Sequence, residues 1–249
     1  MTENPPVVDR RATNQAPLLI GHNVVTGDQA LVEALERHGS PDLVDDLAEL
    51  GAQAGSEEAR EHGMLANRHH PELTAYDRFG NRIDEVEFHP SWHWLMERAV
   101  RHGLQAAPWE QQEAGDPHAH LRRAGGFYAW SQTEPGHGCP ILMTYASVPA
   151  LRVDDAIARE WTPLLAARSY DPGVRTNVTQ ARVTAEDGWY ALHGHKWFTS
   201  APMNDLFLVL AQAPGGVTCF VVPRVLADGT RTPSATASSN HPMPAPSGC

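Results

Sequence analysis

The chain has 249 residues with 19 Lys and Arg against 30 Asp and Glu, a formal charge of −11, which opposes generic attraction to phosphate backbones. A hydrophobic content of 41% is ordinary for a soluble globular protein, and no apolar run approaches the roughly eighteen residues that a membrane helix needs. Cys139, Cys219 and Cys249 are odd in number and far apart, which excludes a disulfide framework and a zinc ribbon; the apolar surroundings of Cys139 and Cys219 predict small buried hydrophobes.

Residues 1–25 read as an arm rich in Pro and Asn. Met1-Thr2-Glu3-Asn4-Pro5-Pro6 has neither the basic nor the apolar region of a secretory signal, so a cytoplasmic location is expected. Helical patterns then dominate residues 26–172. Asp28 ahead of Ala30, Leu31, Ala34 and Leu35 predicts a capped helix, and Ser40-Pro41 sets a cap and a first-turn proline before Leu43, Leu47 and Leu50. Ser56-Glu57-Glu58 opens a third helix. A turn centred on Asp77-Arg78-Phe79-Gly80-Asn81 separates it from a helix carrying Trp92, Leu95, Met96 and Ala99. Further helices are predicted over about 117 to 132, 140 to 151 and 154 to 167, the last opened by Asp154-Asp155.

Residues 173–228 form a β part, the strand-rich portion of the chain being 175 to 223. Thr176–Val183 alternates and is β-branched, and Leu206–Leu210 and Val217–Val222 read as buried strands, with Gly215-Gly216 as a hairpin turn. So few strands leave an open edge unless another chain or domain covers it. From Gly229 on, Ser, Thr, Ala and Pro dominate without any Leu, Ile, Val or Phe, so 229–249 is expected to be disordered.

Between the strands lies Gly194-His195-Lys196-Trp197-Phe198-Thr199-Ser200-Ala201-Pro202, an aromatic, hydroxyl-bearing turn suited to one wall of a flat cofactor site. The alternative is a hairpin in which Trp197 and Phe198 fill a core. Together with Leu208–Gln212 and Gly215–Arg224, this turn resembles the middle domain of the acyl-CoA dehydrogenase superfamily, in the subfamily typified by the alkylation-response flavoprotein AidB. Gly63–Asn67, Pro71-Glu72-Leu73, Tyr76-Asp77, Val86–His93, Cys139–Thr144, Pro163-Leu164-Leu165 and Ser169-Tyr170-Asp171 resemble that subfamily's blocks, in order, over roughly residues 15 to 230.

The resemblance implies an α+β architecture: an N-terminal all-α domain followed by a partial middle β-barrel domain. It implies FAD as cofactor, an acyl-CoA-type substrate oxidised on its CH–CH group, and a homo-oligomer in the intact family. Phe198 and Ser200 match the positions that lie along the flavin, and Ala201 and Pro202 follow as in the AidB-like group. Two departures stand beside the match. The family's flavin-binding segment after the equivalent of Ser169-Tyr170-Asp171-Pro172 is absent, Pro172-Gly173 running straight into Val174. The family's barrel continuation and helical C-terminal domain, with its catalytic carboxylate, have no counterpart after Arg231. An incomplete and weakly active or inactive flavoprotein is therefore expected, and a catalytically silent folded fragment or interaction module is the alternative.

Other features carry less. His89 with His93, His62 with His69-His70, and His118 with His120 invite a metal-hydrolase reading. None has the His-Glu-x-x-His pattern, so no metal ligand is assigned. His89-Pro90-Ser91-Trp92 is structural by the resemblance. Glu134, Asp154, Asp155 and Glu160 fit the helical scaffold, and no catalytic residue is assigned. Gly125-Gly126 is no phosphate loop, and Arg122-Arg123 is expected on a solvated face, with nucleic-acid binding not expected.

Overall fold

A computed structural model describes residues 16–170, 204–213 and 216–225, apart from the side chains of Arg82, Asp84 and Gln212. Helix α1 (Gln29–His38) starts at its expected cap: the Asp28 carboxylate accepts from the Leu31 amide at 3.1 Å, satisfying a donor that the first turn leaves over. Helix α2 (Asp42–Ala54) begins one residue later than the sequence suggests. Pro41, not Ser40, holds the cap position, and no side chain caps the helix. Helix α3 (Glu57–Arg68) opens on Ser56, whose Oγ accepts from the Ala59 amide at 3.1 Å.

The N-terminal part is not all-α. Strands β1 (Glu72–Tyr76) and β2 (Arg82–Glu87) pair antiparallel with Leu73 opposite Val86. The expected turn closes them, the Asp77 carboxylate accepting from the Phe79 and Asn81 amides while Gly80 takes a φ of +83°. Glu72, Arg82, Asp84, Glu85 and Glu87 leave little apolar alternation, and the strands are largely exposed, so periodicity does not reveal this hairpin.

Five more helices follow: α4 (Pro90–Arg101), α5 (Ala107–Glu113), α6 (Ala119–Ser131), α7 (Gly138–Leu151) and α8 (Asp155–Ala166). Helix α5 has no counterpart among the expected helices, being seven residues long with no side-chain cap bond. Helix α8 starts at Asp154, whose side chain accepts from the Ala156 and Ile157 amides.

The main core joins Leu35 of α1, Leu43, Leu47 and Leu50 of α2, Leu95 and Met96 of α4, Trp130 of α6 and Ile141 of α7. Gly125 and Gly126 let α6 approach α2 closely: a Cβ at Gly126 would stand 3.2 Å from Leu47 Cδ2 and 3.3 Å from Leu50 Cδ2. A smaller cluster of Ala106, Val148 and Ala166 takes in Trp109 and Leu165.

Strands β3 (Leu206–Ala213) and β4 (Gly216–Pro223) pair antiparallel from Leu206 opposite Pro223 to Ala213 opposite Gly216, in agreement with the hairpin expected there. Among the described residues the strands form two two-stranded sheets and no closed barrel. The strand expected over 176–183 and the tail after Gly229 lie outside the described residues. Cys139 and Cys219 are both exposed rather than buried. Their neighbours are apolar, but Cys139 sits on the outer side of α7's first turn, and Cys219 lies between exposed Thr218 and half-buried Phe220 on β4. Local hydrophobicity does not bury a residue on the outward face of its element.

Candidate functional site

The residues assigned to the flavin, Phe198, Ser200, Ala201 and Pro202, lie outside the described residues. What is described is the framework next to them in sequence: β3 begins at Leu206, and the Leu206–Pro223 pair is extended by the Arg224 amide, which donates to the Asp205 carbonyl at 2.8 Å. On the helical side, the Cys139–Thr144 block falls in α7, where Leu142 and Met143 are exposed.

Among the described residues Glu134 is the buried carboxylate, and it is fully engaged. Its Oε1 accepts from the Gly136 amide at 2.7 Å and from Asn67 Nδ2 at 3.3 Å, and its Oε2 from the His137 amide at 2.9 Å and His137 Nδ1 at 3.0 Å. Burial alone would raise its pKa, yet the His137 ring, the two amides and the His137 charge together hold it below the ordinary Glu value. A carboxylate so held is a staple of the α6–α7 junction, with no lone pair left to take a substrate proton. Asp154 caps α8, and Asp155 stands in its first turn. Neither departs from the scaffold role expected.

Five histidines of those groupings, His62, His69, His89, His93 and His120, are engaged in packing or hydrogen bonding. His62 stacks on Trp94 at 4.2 Å and shares a 3.0 Å hydrogen bond with Ser91 Oγ. His89 accepts from the Ser91 amide, as a cap of α4, and stacks on His69 at 4.5 Å. His93 and His89 do not converge: His93 Nδ1 lies 2.7 Å from the Tyr170 hydroxyl. His120 bridges Tyr145 and Gln112. Among the described residues no three His, Cys, Asp or Glu side chains stand together as a metal set.

Arg122-Arg123 is the clear departure from expectation. Arg122 is tied to Asp46 and Asp116, and Arg123 is only 9% exposed. In place of a solvated face, Ala119, Arg123, Gly126 and Trp130 recur at four, three and four residues and are all buried. That spacing is readable in the sequence and places Arg123 on the inward stripe of α6.

Residues 14–172 match the family described as Adaptive response protein AidB N-terminal domain. The chain belongs to this family, within the acyl-CoA dehydrogenase superfamily. AidB of Escherichia coli (strain K12) is 40% identical over 243 residues, spanning 88% of this chain and 44% of the relative. Acyl-CoA dehydrogenase family member 11 of Caenorhabditis elegans is 26% identical over 189 residues, covering 67% of this chain and 30% of that protein. The AidB-like chain thus spans less than half the length of these curated relatives. Two solved structures share its fold at a TM-score of 0.69. Caenorhabditis elegans ACDH-11 in complex with C11-CoA is 21% identical and aligns with 93% of this chain and 44% of its own. Bd2924 in its apo form is 22% identical and aligns with 84% and 47%. Among the described residues no helix is long and apolar enough to cross a membrane.

Proposed function

We propose that the intact protein of this family type is a FAD-dependent oxidoreductase acting on the CH–CH group of an acyl-CoA, and that this 249-residue chain by itself is a weakly active or silent form. Family membership supports the reaction class. The complex of ACDH-11 with C11-CoA supports an acyl-CoA as the kind of ligand. FAD, when bound, supplies the hydride acceptor. In this proposal residues 26–172 are the helical frame and 173–228 part of the flavin-side β domain, with subunit association as in a homo-oligomer. Phe198 would exclude water from the flavin ring, the Ser200 hydroxyl would donate to a ring heteroatom, and Ala201-Pro202 would fix the turn.

The observation that carries the silent reading is the state of Glu134. Proton abstraction next to a thioester needs a carboxylate with a free lone pair in reach of the substrate, and the buried carboxylate described here is consumed by His137, Gly136 and Asn67. Positioning and proton transfer act as a unit, so a partial site yields no proportionate fraction of the rate. Visible absorbance of the purified chain tests this. The expected outcome is a folded, largely colourless protein that acyl-CoA does not bleach when FAD is added. Copurification of near-stoichiometric FAD, or reduction of added FAD by an acyl-CoA, would overturn it.

A further inference from the structure

A cavity of about 260 Å³ opens between α2, the end of α4, α5 and α6, with Arg122, Arg123, Arg168, His102 and Asp46 among its lining. Asp46 is the one carboxylate in that lining, and it is paired to Arg122 at 2.8 Å; Asp116, outside the cavity, pairs with Arg122 at 2.5 Å. Arg122 therefore faces two carboxylates and contributes no excess positive charge. Arg123 differs: its Nε donates to the Leu104 carbonyl at 2.8 Å, its guanidinium lies 4.4 Å from the Phe127 ring centre and 4.3 Å from that of Tyr145, and its Nη2 is buried without a partner. Among the described residues no carboxylate pairs with it, and burial pushes its pKa down.

Arg168 is brought to the same cavity by two separate devices. Buried Gln105 donates from Nε2 to the Ala167 carbonyl at 2.8 Å, which fixes the backbone just before it. Gly103, with φ at +73°, leaves room for its guanidinium: a Cβ there would stand 3.1 Å from Arg168 Cζ and 3.2 Å from Nη2. His102 adds a ring whose charging is opposed by burial first and by Arg101, Arg168 and Arg98, with Glu49 pulling the other way.

We propose that this cavity is a binding site for a phosphate-type oxyanion, held by Arg123 and Arg168. Among the described residues Arg122, Arg123 and Arg168 stand with the carboxylates Asp46 and Asp116, an excess of one positive charge in a chain whose net charge is −11. An unpaired buried charge is costly unless an opposite charge compensates it. The aromatic rings on Arg123 hold its plane fixed, and Arg123 stands in the cavity lining with Nη2 still unpartnered. Phosphate and phosphate monoesters offer several strong acceptor oxygens to forked guanidinium groups, which chloride does not. This site is independent of the flavoprotein reading.

The test uses the 249-residue chain, with thermal unfolding and calorimetric titration of sodium phosphate against sodium chloride at matched ionic strength, and with adenosine monophosphate as a monoester. A saturable rise in Tm with phosphate is expected and none with chloride. Arg168→Gln, a change at an exposed residue that leaves the core intact, weakens binding about tenfold or more. Gly103→Ala weakens it too, and Arg159→Gln on the outer side of α8 leaves it unchanged. Arg123→Gln abolishes it where circular dichroism shows a folded protein; if that variant unfolds, Arg168→Gln and Gly103→Ala decide. Tighter binding of the monoester identifies a phosphate ester as the ligand, and equal binding identifies the free ion. Equal responses to phosphate and chloride, or wild-type affinity in Arg168→Gln, would overturn the proposal.

Discussion

His137 is joined twice to Glu134, three residues before it, through its amide at 2.9 Å and its ring Nδ1 at 3.0 Å, both to the same carboxylate oxygen. The other oxygen holds Gly136 and reaches across to Asn67 on α3, so one buried charge fastens the start of α7 to a helix far away in sequence. Replacing Glu134 by Gln removes the charge and turns an NH2 group toward donors. A loss of about 2 kcal/mol is expected in denaturant unfolding. Because the folded pKa lies below the unfolded one, the stabilisation is full above the unfolded Glu value and is lost as pH falls through the folded value. The wild type should therefore lose stability more steeply on the acid side than Glu134→Gln, and parallel curves would refute the linkage.

Gly63 packs against the same junction. A Cβ there would meet the Thr133 carbonyl oxygen at 2.6 Å, a backbone atom that cannot swing aside. At Gly125 the nearest contacts are side-chain ends, Leu47 Cδ1 at 3.0 Å and Leu35 Cδ2 at 3.1 Å. Alanine favours a helix over glycine by about 1 kcal/mol at either site, but overpacking costs about 1 to 3 kcal/mol where nothing can give. Gly63→Ala should lower stability by about 1 to 2 kcal/mol, and Gly125→Ala by less. The reverse order in urea unfolding would show that the α3 contact, and not the α2–α6 contact, is the yielding one.

Four histidines, His62, His93, His102 and His120, have their pKa values lowered from 6.5, burial being the largest cause for each. A histidine that charges less readily when folded contributes stability above its unfolded pKa and loses it as pH falls through the folded value. The Tm should therefore drop on going from pH 7.5 to 5.5. His93→Gln, which keeps a hydrogen-bonding group near the Tyr170 hydroxyl, should flatten part of that drop. A Tm that rises over this interval would contradict the placement of these rings.

What can be read in the sequence is whatever is written in local chemistry. Asp28, Ser56 and Asp154 announce their helices because a capping oxygen must sit next to the amides it serves, and Leu43, Leu47 and Leu50 announce the inward face of α2 by their spacing. The β1–β2 hairpin and α5 are hidden because one is charged and exposed and the other short and uncapped. The arginine cavity is hidden for a different reason. Arg123 and Arg168 are 45 positions apart, and only the packing of α6 on α2 and the turn at Gly103 bring them to one wall. The flavin residues Phe198 and Ser200 rest on the family's blocks alone, and their local geometry lies outside the described residues.

Strands β3 and β4 pair with each other over eight positions, and the face carrying Leu210 and Val217 is open, at 57% and 70% exposure. Leu210 stands opposite Cys219 and Val217 opposite Gln212, so the two apolar side chains share one side of the ribbon. Such a surface favours association with another strand or sheet. Leu210→Thr with Val217→Thr keeps β propensity and removes apolar area, and exposed substitutions of this kind change stability by no more than about 0.5 kcal/mol each. The double variant should therefore show less light scattering on concentration, with its Tm close to that of the parent chain. If scattering stays the same while Tm falls by several degrees, these side chains are buried in solution, and the hairpin packs against part of this chain.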